Sequence, residues 1–140
     1  MPKYTGDDVY VSVNGVVLSD HVDSADVKDA FEAKNVTGMG ANAQQNVLVK
    51  AKTSTIDIDF IMDYGASLVD QTLRPLVGSN SPFTVIVRPT SATASTTNPQ
   101  WTLMALLPEW DYLNVGSVGD VGKSKAAFIC GDSTGIVKTP

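Results

Sequence analysis

The sequence of 140 residues contains one cysteine, Cys130, and one histidine, His21. A single cysteine excludes an intrachain disulfide, and the shortage of both residues argues against a zinc site of the usual cysteine and histidine ligands. His21 lies near Asp20 and Asp23, where a lone histidine is better interpreted as a solvated turn residue than as a metal ligand or a base. We therefore expect no metal and no cofactor.

Positive charge is also scarce. Ten basic and fifteen acidic residues give a net charge of −5, and no cluster of lysine or arginine offsets it, so tight binding of nucleic-acid phosphates is not expected. Only 18 % of the residues are charged while 43 % are hydrophobic, a balance that suggests subunit contacts. No apolar run approaches the roughly 20 residues of a membrane-spanning helix, and residues 1–8 lack the apolar core of a signal peptide.

The most informative segment is residues 53–78, where one periodicity gives way to another. Every second residue is apolar in its first part: Ile56, Ile58, Phe60 and Met62, opposed by Asp57, Asp59, Ile61 and Asp63. This alternation predicts a strand with one buried face. A helical stripe follows, with Leu68, Leu73 and Leu76 as its core leucines and Gly78 as its stop. Pro75 predicts that the regular helix ends near Arg74.

The rest of the chain reads as one mainly β domain spanning residues 1–140. Strand patterns occur at residues 8–13, 16–18, 82–88, 100–107, 124–130 and 135–138, and Asn14-Gly15 predicts a hairpin turn between the first two. Residues 24–34 are ambiguous, because Val27 and Phe31 share a face in a helix and also in a strand, and propensity slightly favours the helix. Residues 36–52 predict a long hairpin loop.

Three patterns resemble catalytic motifs without completing them. Residues 131–135 match the G-x-S-x-G nucleophile motif around Ser133, but only five residues follow and none is His or Asp. Residues 116–124 end in Gly-Lys-Ser, yet their glycine spacing differs from a phosphate-binding loop and a strand pattern follows. The aspartates on one strand face, Asp57, Asp59 and Asp63, are better interpreted as a polar surface than as an acid–base pair. The sequence predicts no enzyme.

Several segments in a fixed order resemble one protein family. They are the strand, turn and L-S-D-H-V sequence of residues 9–22, V-T-G-M-G at 36–40, the strand and helix of residues 53–78, V-R-P-T-S at 87–91, Asn98-Pro99 and the glycine-rich residues 116–122. Together they resemble the major tail proteins that build the tail tube of long-tailed bacteriophages. The resemblance covers nearly the whole chain, and it favours a strand over a helix for residues 24–34.

The resemblance implies a β-sandwich or partial barrel with one flanking helix. Such subunits form hexameric rings that close a β-barrel and stack into a tube, through which double-stranded DNA passes without specific binding. The implied partners are further copies of the chain together with tape measure, tail terminator and distal tail proteins. The implied location is the virion, after assembly in the host cytoplasm and without a membrane.

Two sets of residues are candidates for roles in that tube. Asp57 and Asp59 point away from the core of their strand, toward either bulk solvent or the lumen. The loop residues Gly38, Met39, Gly40, Asn42, Gln44 and Gln45 are expected to contact the next ring. The alternative function is a small β-sandwich decoration or receptor-binding module, in which Trp101, Trp110 and Tyr112 would form an exposed aromatic patch.

Overall fold

The computed structural model describes residues 9–40, 42–62, 69–112, 114, 119 and 122–139. Within these ranges the chain forms eight strands and one short α-helix, which confirms the mainly β fold with a flanking helix. The strands are β1 (Tyr10–Val13), β2 (Val16–Val17), β3 (Val22–Asn35), β4 (Asn46–Ile61), β5 (Phe83–Arg88), β6 (Gln100–Leu106), β7 (Lys123–Cys130) and β8 (Val137–Thr139). No described helix is both long and apolar enough to cross a membrane.

The strands form one antiparallel sheet that is not closed within the subunit. Their order is β2-β1-β5-β6-β7-β4-β3, and β8 pairs with the first residues of β6. The β1–β2 hairpin turns at Asn14 and Gly15, whose φ angles of 50° and 83° fit the predicted Asn-Gly turn. The short β2 and the long β3 therefore lie at the two ends of the sheet.

The core lies on one face of this sheet. Alternate side chains of five strands are buried there, as period-two patterning requires: Val11 and Val13 of β1, Ile56, Ile58 and Phe60 of β4, Phe83, Val85 and Val87 of β5, Leu103 and Ala105 of β6, and Ala126 and Phe128 of β7. Two edge-to-face aromatic pairs join neighbouring parts of this cluster, Phe83 with Phe128 at 5.8 Å and Phe60 with Trp110 at 6.1 Å between ring centroids. The predicted core face of β4 is confirmed at Ile56, Ile58 and Phe60.

Helix α1 (Val69–Leu73) covers part of the core face. Leu73 is fully buried, Leu76 is partly buried against the core, and Leu68 lies outside the described residues. The α-helix stops before Pro75 and continues as the 3₁₀ turn Arg74–Leu76, as the proline predicts. Gly78 then adopts a positive φ of 76° and donates its N–H to the Leu107 carbonyl at 3.0 Å, which returns the chain toward the sheet.

Residues 24–34 are a strand, not a helix. They pair with β4 along nearly their whole length, from Val22 opposite Phe60 to Asn35 opposite Asn46. The structure also places residues 46–52 in β4, so the irregular part of the predicted hairpin loop is confined to residues 36–45. The outer half of this hairpin, residues 28–53, is called the ribbon below. Its described side chains are exposed on both faces, except that Val49 is half-buried.

Candidate functional site

The outward face of β3, β4 and β7 carries the aspartates singled out in the sequence. Asp57 and Asp59 are half-buried and alternate with the fully buried Ile56, Ile58 and Phe60, so both point away from the core. Antiparallel pairing extends their positions into rows across three strands. One row is Ser24, Asp59 and Lys125, and the next is Asp26, Asp57 and Ala127.

Asp26 and Asp57 are directly opposite each other in the ladder. Residues opposite each other in an antiparallel pair have Cβ atoms about 5 Å apart, and like charges in that arrangement are destabilising. The Asp26–Asp57 pair therefore does not stabilise the subunit. This makes the pair a candidate for a role in contacts with other molecules. Sequence reasoning missed Asp26 because only the register of β3 on β4 reveals its partner.

Cations border these carboxylates. Lys125 is opposite Asp59 across β4 and β7, and Lys28 is opposite Thr55 one row beyond Asp57. Asp59 also accepts a hydrogen bond from the Ser24 hydroxyl at 3.0 Å. The Lys123 ammonium lies 3.3 Å from an Asp23 carboxylate oxygen at the end of the same face. The face is thus a mixed charged surface with its paired aspartates at the centre.

The ribbon carries several large apolar side chains that the subunit leaves exposed. Five large apolar side chains on it are open to solvent: Phe31, Val36, Met39, Val47 and Leu48. Its opposite charges Glu32 and Lys34 are paired with each other at 2.7 Å, which leaves the apolar side chains prominent. Large apolar side chains left uncovered on one hairpin are typical of a protein–protein contact. This surface was hard to predict from the sequence, because these residues do not follow a one-face pattern.

The tip of the ribbon is closed by a defined neck. The Val36 N–H donates to the Gln45 carbonyl at 2.9 Å, and the Gln45 N–H donates to the Thr37 hydroxyl at 2.7 Å. Beyond this neck the predicted contact residues Gly38, Met39, Gly40, Asn42 and Gln44 are all exposed, and Met39 has a relative exposure of 106 %. Gln45 belongs to the neck through its backbone, while the others form the outermost point of the ribbon.

Ser133 and His21, which resemble a catalytic nucleophile and a metal ligand in the sequence, lie in turns of the fold. Residues 132–134 are a bend between β7 and β8, and the described residues after Ser133 form no helix. His21 ends the 3₁₀ turn Ser19–His21 and is half-buried. The glycine-rich segment 116–122 lies mostly outside the described residues, as does Asp63. Across the described ranges no group of three or more His, Cys, Asp or Glu side chains is placed to hold a metal ion.

The three aromatic residues of the alternative function do not share an exposed patch. Trp110 is buried against Phe60 and donates its indole N–H to Asp70 at 3.4 Å. Asp70 is itself buried and forms an ion pair with Arg74, whose guanidinium lies over the exposed Tyr112 ring at 5.6 Å from its centroid. Trp110 and Asp70 therefore anchor the segment after β6 to helix α1.

No protein-family model matches the sequence, and no curated protein matches it. Solved structures with the same fold do exist. A chain from the virion of a native gene transfer agent particle has a TM-score of 0.68 at 11 % sequence identity, covering 99 % of this chain and 100 % of that chain. A chain from the tail of an empty gene transfer agent particle with C6 symmetry has a TM-score of 0.68 at 12 % identity, with the same coverage.

A contractile injection system has a similar chain. In the PVC sheath/tube terminator in its extended state, a chain has a TM-score of 0.71 at 8 % identity, covering 100 % of this chain and 99 % of that chain. The fold is therefore that of components of phage-tail-like particles. Identities this low establish the fold alone.

Proposed function

We propose that this chain is a structural protein of a phage-tail-like particle whose copies form hexameric rings that stack into a tube. The observation that carries the proposal is the ribbon, which exposes Phe31, Met39, Val47 and Leu48 to solvent in the subunit. Exposure of these apolar side chains to water is unfavourable in free energy. Contact with a second copy would remove them from water. The shared fold with a C6-symmetric tail supports the same proposal.

The free edge of β3 provides a second contact. β3 is the last strand in the sheet order, so its outward row of backbone N–H and C=O groups has no strand partner in the described chain. An unpaired strand edge of this length is a template for pairing with another chain, and closing a sheet into a barrel removes such edges. A ring in which neighbouring subunits pair at their edges satisfies these groups, and a heterologous contact that closes gives rotational symmetry.

The ribbon tip is assigned to the contact between rings. Its neck is held by the hydrogen bonds of Val36, Thr37 and Gln45, and the described loop residues beyond the neck are all exposed. The edge of β3 and the ribbon tip are thus two separate surfaces, one available for closing a ring and the other for stacking rings. Tape measure, tail terminator and distal tail proteins would be the further partners of the resulting tube.

Assembly of the purified full-length chain tests the proposal. We expect rings and then tubes as the concentration rises, seen by sedimentation velocity and negative-stain electron microscopy. Leu48→Asp should raise the concentration needed for assembly at least about tenfold, because it places a charge in a desolvated contact. Ala92→Asp adds the same charge to an exposed loop away from the ribbon and should change nothing.

The outcomes separate the related functions. Single rings that never stack would indicate a terminator at the end of a tube, and the similar PVC chain comes from a sheath/tube terminator structure. A monomer or trimer at every concentration, unaffected by Leu48→Asp, would contradict the tube proposal and support the decoration or receptor-binding module.

The outward aspartates are proposed to line the tube. In a ring the face that carries Asp26, Asp57 and Asp59 would repeat in every subunit, and the summed field of the carboxylates would keep DNA phosphates off the wall. Asp57→Lys combined with Asp59→Lys would join Lys28 and Lys125 in a basic surface. Tubes should still form, because neither aspartate is in the core, but particles carrying the variant should deliver DNA more slowly.

The salt dependence identifies the cause. Binding of phosphates to lysines weakens steeply as salt rises, so the delivery rate of the double lysine variant should recover at high ionic strength. Asp57→Asn combined with Asp59→Asn removes the charges without adding cations and should slow delivery much less. If the double lysine variant delivers DNA at the wild-type rate at low salt, these aspartates face another surface.

A further inference from the structure

Ser54 lies at the base of the ribbon and connects three separate segments. It is the first fully buried residue of β4 after the exposed residues of the ribbon, with a relative exposure of 1 %. Its hydroxyl donates to the Asp29 carboxylate at 2.6 Å and accepts the backbone N–H of Ile136 at 3.3 Å. The other Asp29 oxygen is 3.8 Å from the Lys52 ammonium. One hydroxyl thus links both strands of the ribbon to the C-terminal segment.

Gly135 is packed so tightly against this cluster that a side chain would clash with it. It is buried and has a positive φ of 73°. A Cβ atom at this position would lie 2.8 Å from the Ser54 hydroxyl oxygen and 2.8 Å from the Lys52 Cε. Both the backbone conformation and the close approach therefore require glycine here.

The turn that carries Gly135 is itself held in place on both sides. The Thr134 N–H donates to the Asp132 carboxylate at 2.9 Å, which closes the turn at residues 132–134. Before the turn, the Gly131 N–H donates to the Met104 carbonyl of β6 at 2.8 Å. After it, β8 pairs with β6, with Trp101 opposite Lys138. Residues 131–139 thus leave β7, cross the ribbon base at Ser54 and are fastened to the body of the sheet.

We propose that residues 131–136 are a latch that fixes the direction of the ribbon relative to the sheet. The ribbon is a continuation of β3 and β4, and a two-stranded extension with exposed faces can bend where it leaves the sheet. The Ser54 cluster is the one polar contact among the described residues that joins the ribbon base to the fixed turn. The match of residues 131–135 to G-x-S-x-G thus has a mechanical explanation, in which its last glycine matters and Ser133 does not.

The functional part of this inference rests on the proposed function. If the ribbon tip contacts the next ring, a small change of angle at Ser54 is multiplied along the ribbon into a large displacement of Met39. The latch would then be the device that presents every tip at the same height, so that rings stack with a regular spacing. Ser54 and Gly135 are positioning residues in this scheme, and neither needs to touch another subunit.

Hydrogen–deuterium exchange of unassembled subunits tests the latch without requiring tubes. Ser54→Ala removes both hydrogen bonds and should speed exchange of the amides of residues 27–30 and 50–54 about tenfold, while β5 and β6 remain protected. Ser124→Ala is the matched control, since Ser124 is also buried and its hydroxyl also ties a loop, through the Asp111 carbonyl at 2.9 Å. It should leave the ribbon base unchanged.

A second pair of variants repeats the test from the other side of the contact. Gly135→Ala adds both strain and a clash, whereas Gly78→Ala adds the same strain at a φ of 76° with nothing within 4 Å. Faster exchange at the ribbon base only in Ser54→Ala and Gly135→Ala supports the latch. Unchanged exchange there, or an equal rise in the controls, overturns it.

Electron microscopy of assembled material then tests the stacking role separately. The two latch variants should give rings whose tubes are short or irregular in ring spacing, while the two control variants give wild-type tubes. Regular tubes from a variant with fast exchange would show that the latch does not set stacking. If even the wild-type chain forms no tubes, the proposed function fails while the exchange result still decides whether the latch exists.

Discussion

Leu73→Ala should lower the free energy of unfolding by about 2–5 kcal/mol, because it removes a fully buried side chain and leaves a cavity. Leu73 and Val69 are the residues of helix α1 that belong to the hydrophobic core, and the helix is too short to be stable without that burial. Urea titration of the unassembled subunit measures the change, with the slope m expected to stay constant.

Leu48→Ala is the matched control for this measurement. The same atoms are deleted, but Leu48 lies on the ribbon with a relative exposure of 61 %. Its effect on the free energy of unfolding should be within about 0.5 kcal/mol. An effect of Leu73→Ala as small as that of Leu48→Ala would mean that the helix does not cover the core in solution.

Replacing residues 38–44 with a short Gly-Ser turn should abolish tube growth and leave the fold intact. The neck formed by Val36, Thr37 and Gln45 stays in place, and so does the whole ladder of β3 with β4. What is lost is the exposed loop around Met39, which is proposed to contact the next ring. Closed rings without tubes are the expected result in negative-stain images, with an unchanged circular dichroism spectrum and melting temperature.

A second version of this variant separates the length of the loop from its chemistry. Here the same residues are exchanged for Gly and Ser without shortening the segment. If Met39 and its neighbours bind the next ring through their side chains, rings of both versions fail to stack. If only the length of the loop matters, rings of the shortened version alone fail to stack. Wild-type tube lengths from both versions would assign the loop another role.

The features that the sequence predicted well are set by neighbours along the chain. The turn at Asn14-Gly15 follows from which residues tolerate a positive φ, and the end of α1 before Pro75 follows from proline's missing N–H. The buried face of β4 at Ile56 and Phe60 could be predicted from the sequence because one side of that strand packs on the core and the other does not.

The features that it left open depend on distant parts of the chain. Residues 24–34 gave no clear period because the outer part of β3 is exposed on both faces, so neither side had to be apolar. The opposition of Asp26 to Asp57 depends on strand register, which no local pattern fixes. The contact of Gly135 with Ser54 joins residues far apart in sequence, and the loop motif around it pointed to a different chemistry.

The strand order also determines which strand pairs can form while the chain is being synthesised. β3 and β4 are adjacent in sequence and can pair as soon as residue 61 has emerged, whereas Tyr10 must wait for Arg88 and Ile56 for Phe128. Such distant pairings form slowly, since long loops must close first. The β3–β4 hairpin, which is proposed to bind other subunits, therefore folds before the rest of the sheet. Neighbouring nascent chains on one messenger RNA then expose this hairpin to each other before their sheets are complete. During that interval the hairpin exposes the same β3 edge and apolar side chains that the assembled ring is proposed to cover.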